Sequence, residues 1–572
     1  MSRGADTLRE PALEAIDIAF AELIGRLADP ASAPTLARTA ALVSRERGRG
    51  HPCIELARWA GEPLGGGDDE TRLPKLATWR ATLEQSALVG DGAAPTPFVL
   101  DASDRCYLYR YWAAERRVAA RVREAATAAA IASERIEATF PRLFPTQKGA
   151  TPDRQADAAR AVLRSRLTLV SGGPGTGKTT TVARILGLLL AHDPALEIVL
   201  AAPTGKAAAR VTESLRSQAP ALDLSPDLRA RIAELEARTI HRVLGRSSRS
   251  GGFKHDATHP LVCDVLVVDE ASMVDLLMMD ALLAAVPAAA RIVLVGDKDQ
   301  LASVETGFVF GDLCEIAPAS ALRDGAVELD VSWRFHSRPG IAALAEAVRT
   351  GDGTTALDAC GGKHQDARLL ELTADPTAIV ASLAAEVDAV VTAATPAAAL
   401  AALASFRILT PTRRGPHGVE SLNRLIERGL AERGQPKSGE WYTGRPVLVT
   451  ENDYDVELYN GDVGVAFPDA TGALRVWFAA AGALRSVAPG KLPPHETAWA
   501  MTVHKCQGSE FDRVVFVLPE RESPLLTREL VYTAVTRARS DVAIYGARET
   551  LSAAVLRRSE RVSGLRDLLA GP

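Results

Sequence analysis

Residues 167–181 constrain the fold of this 572-residue chain more than any other stretch. A short apolar run, 167–170, leads into Gly172-x-x-x-x-Gly177-Lys178-Thr179, and apolar residues then recur at helical spacing over 180–190. A glycine-rich loop between a strand and a helix is the P-loop arrangement, in which backbone N–H groups and the helix N-terminus surround a phosphate. The pattern predicts a bound nucleoside triphosphate, with Lys178 at its terminal phosphates and Thr179 as a Mg²⁺ ligand. The whole loop is expected to contact the nucleotide: Gly172, Gly173, Pro174, Gly175, Thr176, Gly177, Lys178, Thr179 and Thr180.

Composition narrows the class of protein around this loop. The length allows roughly three to five domains, and 47% apolar with 24% charged residues is ordinary for a soluble globular chain. No stretch predicts a membrane span or a signal peptide. The six cysteines include no C-x-x-C pair, which argues against a zinc or iron–sulfur site and favours a reducing cytoplasm. Because the net charge is −5, any contact with nucleic acid must come from a local track of side chains.

The first part of the chain, residues 1–115, is predicted to be a separate helical domain. His51 and Cys53 are interpreted as structural rather than metal-binding. Residues 116–148 are expected to form a connecting helix and linker. One helical stripe is expected to be buried: Leu13, Ile16, Phe20, Leu23, Ile24 and Leu27. Aromatic residues are frequent here and are interpreted as core, with a partner-facing role for some as the alternative: Trp59, Trp79, Tyr107, Tyr109, Tyr111 and Trp112.

From about residue 149, apolar strands alternate with helices, the pattern of parallel α/β sheets. Seven apolar runs are too many for one P-loop domain: 167–170, 198–202, 265–268, 292–295, 408–409, 514–518 and 542–545. They predict two RecA-like domains in tandem, one over 149–325 and one over 326–430 and 499–572. A short insertion is expected at about 246–260, and short strands are predicted over 431–498.

Two polar clusters follow predicted strands of the first domain. Asp269 ends the run 265–268 and is placed to hold Mg²⁺, with Glu270 as the base that accepts a proton from the attacking water. Gln300 follows the run 292–295 and is expected to sense the γ-phosphate. Alone, the two acids also fit a helix N-terminus, and the glutamine also fits a polar loop. The P-loop upstream favours the catalytic interpretation.

Arg334 and Arg537 lie in short frames of small and aromatic residues. Each on its own is an ordinary surface charge. As arginine fingers from a second domain, they neutralise charge on the γ-phosphate and couple hydrolysis to domain closure. Hydroxyl, amide and basic groups at 201–208 and 502–510 suit a phosphate backbone, although each loop alone is only a turn.

Taken in order, these blocks resemble the motifs of superfamily 1 DNA helicases, specifically the RecD-like branch. The segments 171–180, 202–210, 239–245, 268–275, 296–304, 333–335, 500–511 and 531–539 resemble motifs I, Ia, Ib, II, III, IV, V and VI. The resemblance implies that Gln155 reads adenine and that Glu510 joins the nucleotide contacts. It also implies contacts to DNA from Thr204, Lys206, His241, Thr410, Arg413, Thr502 and His504. Cys506 stands where the family usually has serine, so one phosphate contact is expected to weaken slightly.

Residues 51–59 and 98–118 resemble the amino-terminal domain of the alpha subunit of exodeoxyribonuclease V, which docks on a partner subunit. The resemblance implies an ATP- and Mg²⁺-dependent 5′→3′ helicase that acts on single-stranded and duplex-end DNA. It implies RecB-like and RecC-like partners and the processing of double-strand breaks. The strands over 431–498 resemble a small SH3-like insertion, which makes the expected fold α/β with two tandem RecA-like P-loop domains, that insertion and an N-terminal helical domain.

A free-standing helicase without nuclease partners is one alternative, and a regulatory subunit with a weakened motor is another. The intact set of Lys178, Asp269, Glu270, Gln300, Arg334 and Arg537 argues against a weakened motor. No acidic cluster with a following lysine indicates a nuclease site in this chain. Phe308, Phe310 and Trp333 are candidates for stacking on bases.

Overall fold

The computed structural model describes residues 13–64, 72–127, 129–145, 153–245, 252–372, 377–434, 440–453, 455–480, 483–520 and 523–570. The predicted insertion at 246–260 therefore lies partly outside the described residues. None of the described helices is long and apolar enough to cross a bilayer. All six cysteines are free thiols.

The N-terminal region combines the expected helices with a sheet that was not predicted. Its four strands are ordered β1-β4-β3-β2 and consist of only two to four residues each, too short to show alternation in the sequence. Trp79 is fully buried in the core of this region, as predicted. The elements are α1 (Ala15–Leu27), α2 (Ala33–Gly48), β1 (Cys53–Glu55), α3 (Leu56–Trp59), α4 (Leu76–Glu84), β2 (Val89–Gly90), β3 (Phe98–Leu100) and β4 (Arg105–Leu108).

The prediction of one buried stripe along α1 is wrong. Ile24 is buried at 2% exposure, but Ile16, Leu23 and Leu27 are 58%, 45% and 59% exposed. These three residues recur at helical spacing, so one apolar face of α1 points to solvent while Ile24 packs inward. Helical periodicity predicts such an apolar face but does not predict whether other residues bury it.

The predicted connecting helix and linker over 116–148 correspond to two helices, α5 (Tyr109–Ala125) and α6 (Glu134–Leu143). Tyr111, Val118 and Val122 of α5 are buried in one core with Leu266 and Leu294 of the following domain. This segment is therefore part of the first RecA-like domain rather than a connector.

The first RecA-like domain has a six-stranded sheet in the order β10-β5-β9-β8-β6-β7, with every pair parallel. The domain boundary predicted between 325 and 326 is displaced, because β10 pairs with the P-loop strand β5. The elements are α7 (Arg154–Arg164), β5 (Leu167–Gly172), α8 (Lys178–His192), β6 (Ile198–Ala202), α9 (Gly205–Gln218), α10 (Pro226–Glu234), β7 (Ala237–Thr239), α11 (Ile240–Leu244), β8 (Val265–Val268), α12 (Leu276–Ala285), β9 (Arg291–Gly296), α13 (Val309–Ile316) and β10 (Ala326–Leu329).

The second RecA-like domain repeats this plan with a five-stranded parallel sheet in the order β11-β20-β19-β12-β18, in which β18 is Ala500–Thr502, β19 is Phe511–Val517 and β20 is Ala538–Tyr545. Apolar clusters cover both faces of the sheet, as parallel strands require. The elements before the insertion are α14 (Pro339–Thr350), α15 (Gly353–Ala359), β11 (Ala367–Leu370), α16 (Thr377–Ala381), α17 (Ala384–Val391), α18 (Pro396–Ser405), β12 (Phe406–Thr410) and α19 (Val419–Glu432).

The insertion within the second domain is a five-stranded antiparallel sheet in the order β16-β15-β14-β13-β17. Its strands are β13 (Pro446–Val449), β14 (Val463–Pro468), β15 (Leu474–Ala480), β16 (Ala483–Val487) and β17 (His495–Thr497). Short strands were predicted here, and they are present. The SH3-like character of the insertion stays a prediction.

The end of the chain departs from the predicted domain plan. After β18 (Ala500–Thr502), β19 (Phe511–Val517), α20 (Arg528–Val535), β20 (Ala538–Tyr545) and α21 (Arg548–Leu556), the chain leaves the second domain. Helix α22 (Leu565–Ala570) buries Leu565 and Leu569 in the core of the first domain, beside α5. Residues 557–570 therefore run from the second domain back to the first.

Candidate nucleotide site and nucleic-acid face

The loop between β5 and α8 has the local geometry of a phosphate cradle. Gly175 and Gly177 have φ angles of +78° and +85°, which L side chains rarely adopt. A Cβ at Gly177 would lie 2.4 Å from the Gln155 amide nitrogen, and one at Gly175 would lie 2.3 Å from the Arg334 Cβ. Both glycines are therefore required by conformation and by space, and both neighbours are predicted site residues.

Lys178, the first residue of α8, turns its ammonium over the loop. Its Nζ donates hydrogen bonds to the carbonyl oxygens of Gly172 (2.6 Å) and Gly173 (3.1 Å). The positive charge thus lies at the N-terminus of α8, where the helix dipole also favours an anion. Lys178, Thr179 and Thr180 all line the cleft between the two RecA-like domains.

Asp269 and Glu270 follow β8 and line the same cleft. Glu270 has a left-handed backbone with φ of 52°, an uncommon conformation of the kind found at functional sites. Burial raises the pKa of the Asp269 carboxyl, the negative charge of Glu270 raises it further, and the Lys178 ammonium opposes both. The pair therefore carries negative charge that the protein compensates only in part.

A magnesium ion fits this part of the cleft. Thr179 and Asp269 together offer a hydroxyl and a carboxylate, the hard oxygen donors that Mg²⁺ prefers. Burial and the charge of Glu270 raise the pKa of Asp269, and a bound cation would lower it. Among the described residues, no group of three or more His, Cys, Asp or Glu could hold a metal by itself. Bound phosphates and water would have to complete the coordination.

Gln300 lies at the carboxyl end of β9, next to the second domain. Its Nε2 donates to Asp297 Oδ2 (2.7 Å), which fixes the orientation of the amide. The next residue, Leu301, donates its backbone N–H to the Thr533 hydroxyl of α20 (2.9 Å). Gln300 thus lines the cleft next to a residue that is hydrogen-bonded to the second domain.

Arg334 and Arg537 line the same cleft, and Arg334 packs beside Gly175 of the P-loop. Arg537, in the turn between α20 and β20, donates to the carbonyl oxygens of Thr533 (3.2 Å) and Ser509 (3.3 Å). Arg334 lies in the segment joining the two domains. Its Nη1 is buried and has no hydrogen-bond partner among the described residues. A buried guanidinium nitrogen without an acceptor is costly, and an anionic phosphate oxygen is the acceptor that suits it.

Glu510, predicted from its motif as a nucleotide contact, accepts hydrogen bonds from three arginine side chains, two of which line the cleft. Its Oε1 accepts from Arg334 Nη2 (2.8 Å) and from Arg210, and its Oε2 accepts from Arg539 (3.3 Å). Burial alone would raise the pKa of Glu510, but the charges of Arg210 and Arg334 outweigh it and hold the pKa at about 2. Arg210 lines the cleft although no role was predicted for it. Arg210 is the last residue of the segment that resembles motif Ia, and this position is the sequence signal that could have identified it.

Gln155 is held beside the P-loop by its own helix. Asp153 caps α7 by accepting from the backbone N–H groups of Gln155 (3.0 Å) and Ala156 (3.1 Å). The Gln155 side chain accepts from Arg184 (2.9 Å) and donates to the Thr176 carbonyl (3.5 Å). The amide predicted to read adenine is therefore fixed at the rim of the loop.

The predicted DNA contacts of the first domain lie at the ends of β6 and β7. Thr204 caps α9 by accepting from the Ala207 N–H (3.2 Å). Lys206 donates to the Ser509 hydroxyl of the second domain (2.5 Å), and burial lowers its pKa to about 8. His241 is exposed, with its ring 6.0 Å from that of Phe253.

In the second domain, Thr502, His504 and Arg413 lie near the ends of β12 and β18. Thr502 accepts from the Lys505 N–H (3.4 Å), and burial together with the charge of Arg561 lowers the pKa of His504. Arg413 is exposed and pairs with Glu496 (3.2 Å) and Glu420 (3.4 Å).

Three predictions for residues of this face are corrected by burial. Thr410 is 1% exposed, and its hydroxyl donates to the His417 carbonyl (2.9 Å), so it does not face DNA. Cys506 is fully buried, and its Sγ donates to the Val503 carbonyl (3.0 Å). A serine there would not face DNA either, so no phosphate contact is lost. Phe310 is a core residue, whereas Trp333 is 68% exposed and free to stack.

Comparison with known proteins identifies the family. Residues 9–107 match the RecBCD enzyme subunit RecD N-terminal domain, 155–306 match an AAA domain, and 497–545 match the UvrD-like helicase C-terminal domain. The RecBCD enzyme subunit RecD of Mycolicibacterium smegmatis is 42% identical over 97% of this chain and 97% of its own length. This chain belongs to the RecD family.

More distant relatives extend the comparison. The RecBCD enzyme subunit RecD of Haemophilus influenzae is 32% identical over 83% of this RecD-family chain and 81% of its own length. The ATP-dependent RecD2 DNA helicase of Deinococcus radiodurans is also 32% identical, over 84% of this chain, but the match covers only 60% of that protein. The Pif1 helicase of Candida albicans aligns with a TM-score of 0.39 at 16% identity, covering 74% of this chain and 97% of its own, too distant to support an assignment.

Proposed function

We propose that this RecD-family chain is an ATP-dependent 5′→3′ translocase and helicase on single-stranded DNA, and a subunit of a RecBCD-type helicase–nuclease that processes double-strand breaks. The observation that carries the proposal is one cleft lined by residues of both domains: Lys178, Asp269, Glu270 and Gln300 of the first, Arg334 of the segment joining the two, and Arg537 of the second. A site shared by two domains opens and closes with each round of hydrolysis, which is the requirement for a motor.

Each group of the cleft has a role in phosphoryl transfer. The P-loop N–H groups and Lys178 bind the phosphates, while Thr179 and Asp269 would hold Mg²⁺, which would supply positive charge against the charge that develops on the phosphates. Glu270 accepts the proton of the attacking water. Arg334 and Arg537 stabilise the charge on the transferred phosphoryl group, so hydrolysis is fast only when the domains close.

DNA is proposed to cross the two domains along the loops that carry Thr204, His241, Thr502, His504 and Arg413. The hydrogen bond from Lys206 to Ser509 crosses the domain boundary within this face. Movement of one domain against the other therefore changes the spacing of contacts to one strand. The 5′→3′ direction rests on the kinship with RecD proteins and not on any single contact.

RecB-like and RecC-like partners are proposed for the N-terminal domain. The exposed apolar face of α1, formed by Ile16, Leu23 and Leu27, supports a protein contact. Relatives named as RecBCD subunits match over nearly the whole chain. A cytoplasmic location, where such a complex meets chromosomal DNA, is part of the same proposal.

The motor is tested with duplexes that carry a single-stranded tail at either the 5′ or the 3′ end. We expect unwinding of the 5′-tailed duplex only, with ATP and Mg²⁺ required, and loss of unwinding in Lys178→Gln. Lys491→Gln is the matched control, because Lys491 is exposed on the insertion, away from the cleft. Unwinding of only the 3′-tailed duplex contradicts the direction, and unwinding by Lys178→Gln contradicts the site.

Assembly is tested by co-expression with the RecB-like and RecC-like chains of the same organism, followed by size-exclusion chromatography. We expect one heterotrimer, which Leu23→Glu disrupts and Leu525→Glu does not, since Leu525 is 60% exposed but lies in the second domain. A stable monomer that unwinds DNA with full processivity supports the free-standing alternative and rules out the complex.

A further inference from the structure

The loop that follows Gln300, residues 301–307, is held from several directions. On the side of the second domain, the Leu301 N–H donates to the Thr533 hydroxyl (2.9 Å), and the Gln507 amide donates to the Leu301 carbonyl (3.1 Å). These contacts link the start of the loop to motifs V and VI. They do not fix the other end of the loop, residues 303–307.

Arg561, from the C-terminal tail 557–570, holds that far end. Its guanidinium donates to the carbonyl oxygens of Glu305 (2.8 Å) and Gly307 (2.7 Å), to the Ser303 hydroxyl (3.3 Å) and to the Ser303 carbonyl. Carbonyl groups of an irregular loop lack sheet or helix partners and need donors when they are buried. A planar guanidinium supplies several donors in fixed directions, which a lysine ammonium does not.

The N-terminal domain contacts the same loop. The Gly307 N–H donates to the Gly50 carbonyl (2.9 Å), and the Thr306 hydroxyl donates to the Arg47 carbonyl (3.3 Å). A Cβ at Gly50 would lie 2.6 Å from the Arg561 Cζ, so the guanidinium packs directly against the end of α2. Loop, tail and N-terminal domain meet at one point.

The tail itself is anchored beyond Arg561. The Val562 N–H donates to His51 Nδ1 (3.0 Å), and the buried Glu115 of α5 accepts from the Ser563 hydroxyl (3.0 Å) and the Gly564 N–H (3.1 Å). Leu565 and Leu569 of α22 then pack in the core of the first domain. Arg561 is therefore held rigidly against the loop rather than lying on it as a mobile chain end.

We propose that Arg561 is a positioning residue of the ATPase site, acting through Gln300. By fixing residues 303–307, it holds the Gln300 amide in its position in the cleft. Because the same loop contacts the N-terminal domain, that position also depends on the N-terminal domain. This inference rests on the proposed function. It assigns the tail a role in hydrolysis although no residue of the tail lines the cleft.

The test is steady-state ATP hydrolysis by the full chain with single-stranded DNA, measured for Arg561→Gln, Arg561→Lys, Gln300→Ala and the double variant Arg561→Gln/Gln300→Ala. A misplaced catalytic group costs up to about 100-fold, so we expect Arg561→Gln to lower kcat roughly tenfold with KM for ATP unchanged. Arg561→Lys is expected to fall between Arg561→Gln and the wild type. Arg558→Gln is the matched control, because Arg558 is 58% exposed and pairs only with Glu315 (3.5 Å) among the described residues.

The double variant separates positioning from a general loss of structure. If Arg561 acts through Gln300, the double variant has the kcat of Gln300→Ala alone. Multiplied effects, or an unchanged kcat in both Arg561→Gln and Arg561→Lys at wild-type thermal stability, overturn the proposal. Failure of the proposed function is distinguishable, because the wild type itself then shows no DNA-stimulated hydrolysis.

Discussion

The nucleotide cleft and the junction of the tail with the loop 301–307 both join distant parts of the chain, but they differ in how completely their charges are satisfied. In the cleft, Arg334 keeps a buried nitrogen without an acceptor, and the pKa of Asp269 is raised by burial beside Glu270. In the junction, the Arg561 guanidinium donates to four oxygen atoms. The cleft therefore keeps a buried guanidinium nitrogen that an anionic ligand could accept from, whereas Arg561 uses its donors within the chain to hold a loop.

The largest expected effect lies in the cleft. Glu270→Gln keeps the shape of the site but removes the base, so kcat for DNA-stimulated hydrolysis is expected to fall roughly 10³-fold. ATP affinity should stay within about threefold, because the phosphates bind to the P-loop and Lys178 rather than to Glu270. Titration with a fluorescent ATP analogue measures the affinity. Hydrolysis at more than a tenth of the wild-type rate would show that another group activates the water.

A second prediction tests the cradle. Gly177→Ala places a Cβ 2.4 Å from the Gln155 amide at a φ of +85°, and we expect ATP affinity to fall about tenfold or more. Gly472→Ala is the matched control, since Gly472 has a φ of +82° with open space around its Cβ position. Equal ATP affinity in the two variants would mean that neither the backbone strain at Gly177 nor its contact with Gln155 limits nucleotide binding.

A third prediction concerns the N-terminal domain, which contributes no residue to the lining of the cleft. Trp79 is fully buried in the N-terminal domain, and its Nε1 donates to the Thr39 hydroxyl (2.8 Å). Trp79→Phe loses that bond and leaves a cavity, so the free energy of unfolding of this domain should fall by about 1–3 kcal/mol. Urea unfolding followed by circular dichroism measures it. At urea concentrations below the unfolding transition, DNA-stimulated ATP hydrolysis should be unchanged. A loss of kcat there would show that hydrolysis in the cleft depends on the packing around Trp79.

A fourth prediction is a pH dependence at the junction. Burial and the charges of Arg561, Arg58 and Arg49 lower the pKa of His51 from 6.5 to about 4. The folded state therefore disfavours protonation, so this contribution to stability is complete above pH 6.5 and is lost as the pH falls towards 4. At pH 5 the loss is about 2 kcal/mol.

His51→Gln removes the titration while keeping an acceptor for the Val562 N–H. Urea unfolding at pH 7.5 and pH 5 should show a smaller difference for His51→Gln than for the wild type. An equal difference in both proteins would place the acid sensitivity elsewhere.

The same contrast explains what could be predicted from the sequence. Strands β6 and β8 have the predicted bounds, and the polar groups after β8 and β9 line one cleft, because the ends of parallel strands converge. The junction could not be predicted, since the acceptors of Arg561 are mainly backbone carbonyls that no residue type marks. Helical spacing identified the apolar residues of α1, but the prediction that all of them are buried was wrong. Spacing alone does not distinguish apolar residues that pack in a core from apolar residues that are exposed on the surface.

The central claim is that one ATP site is built from two domains, and Arg537→Lys tests it most directly. Arg537 comes from the second domain and keeps its charge in this variant, but a lysine cannot donate to Thr533, Ser509 and a phosphate at once. With thermal stability and ATP affinity near those of the wild type, DNA-stimulated kcat is expected to fall by at least about 100-fold. A wild-type kcat in both Arg537→Lys and Arg537→Ala would contradict the account, because the first domain would then hydrolyse ATP without a group from the second.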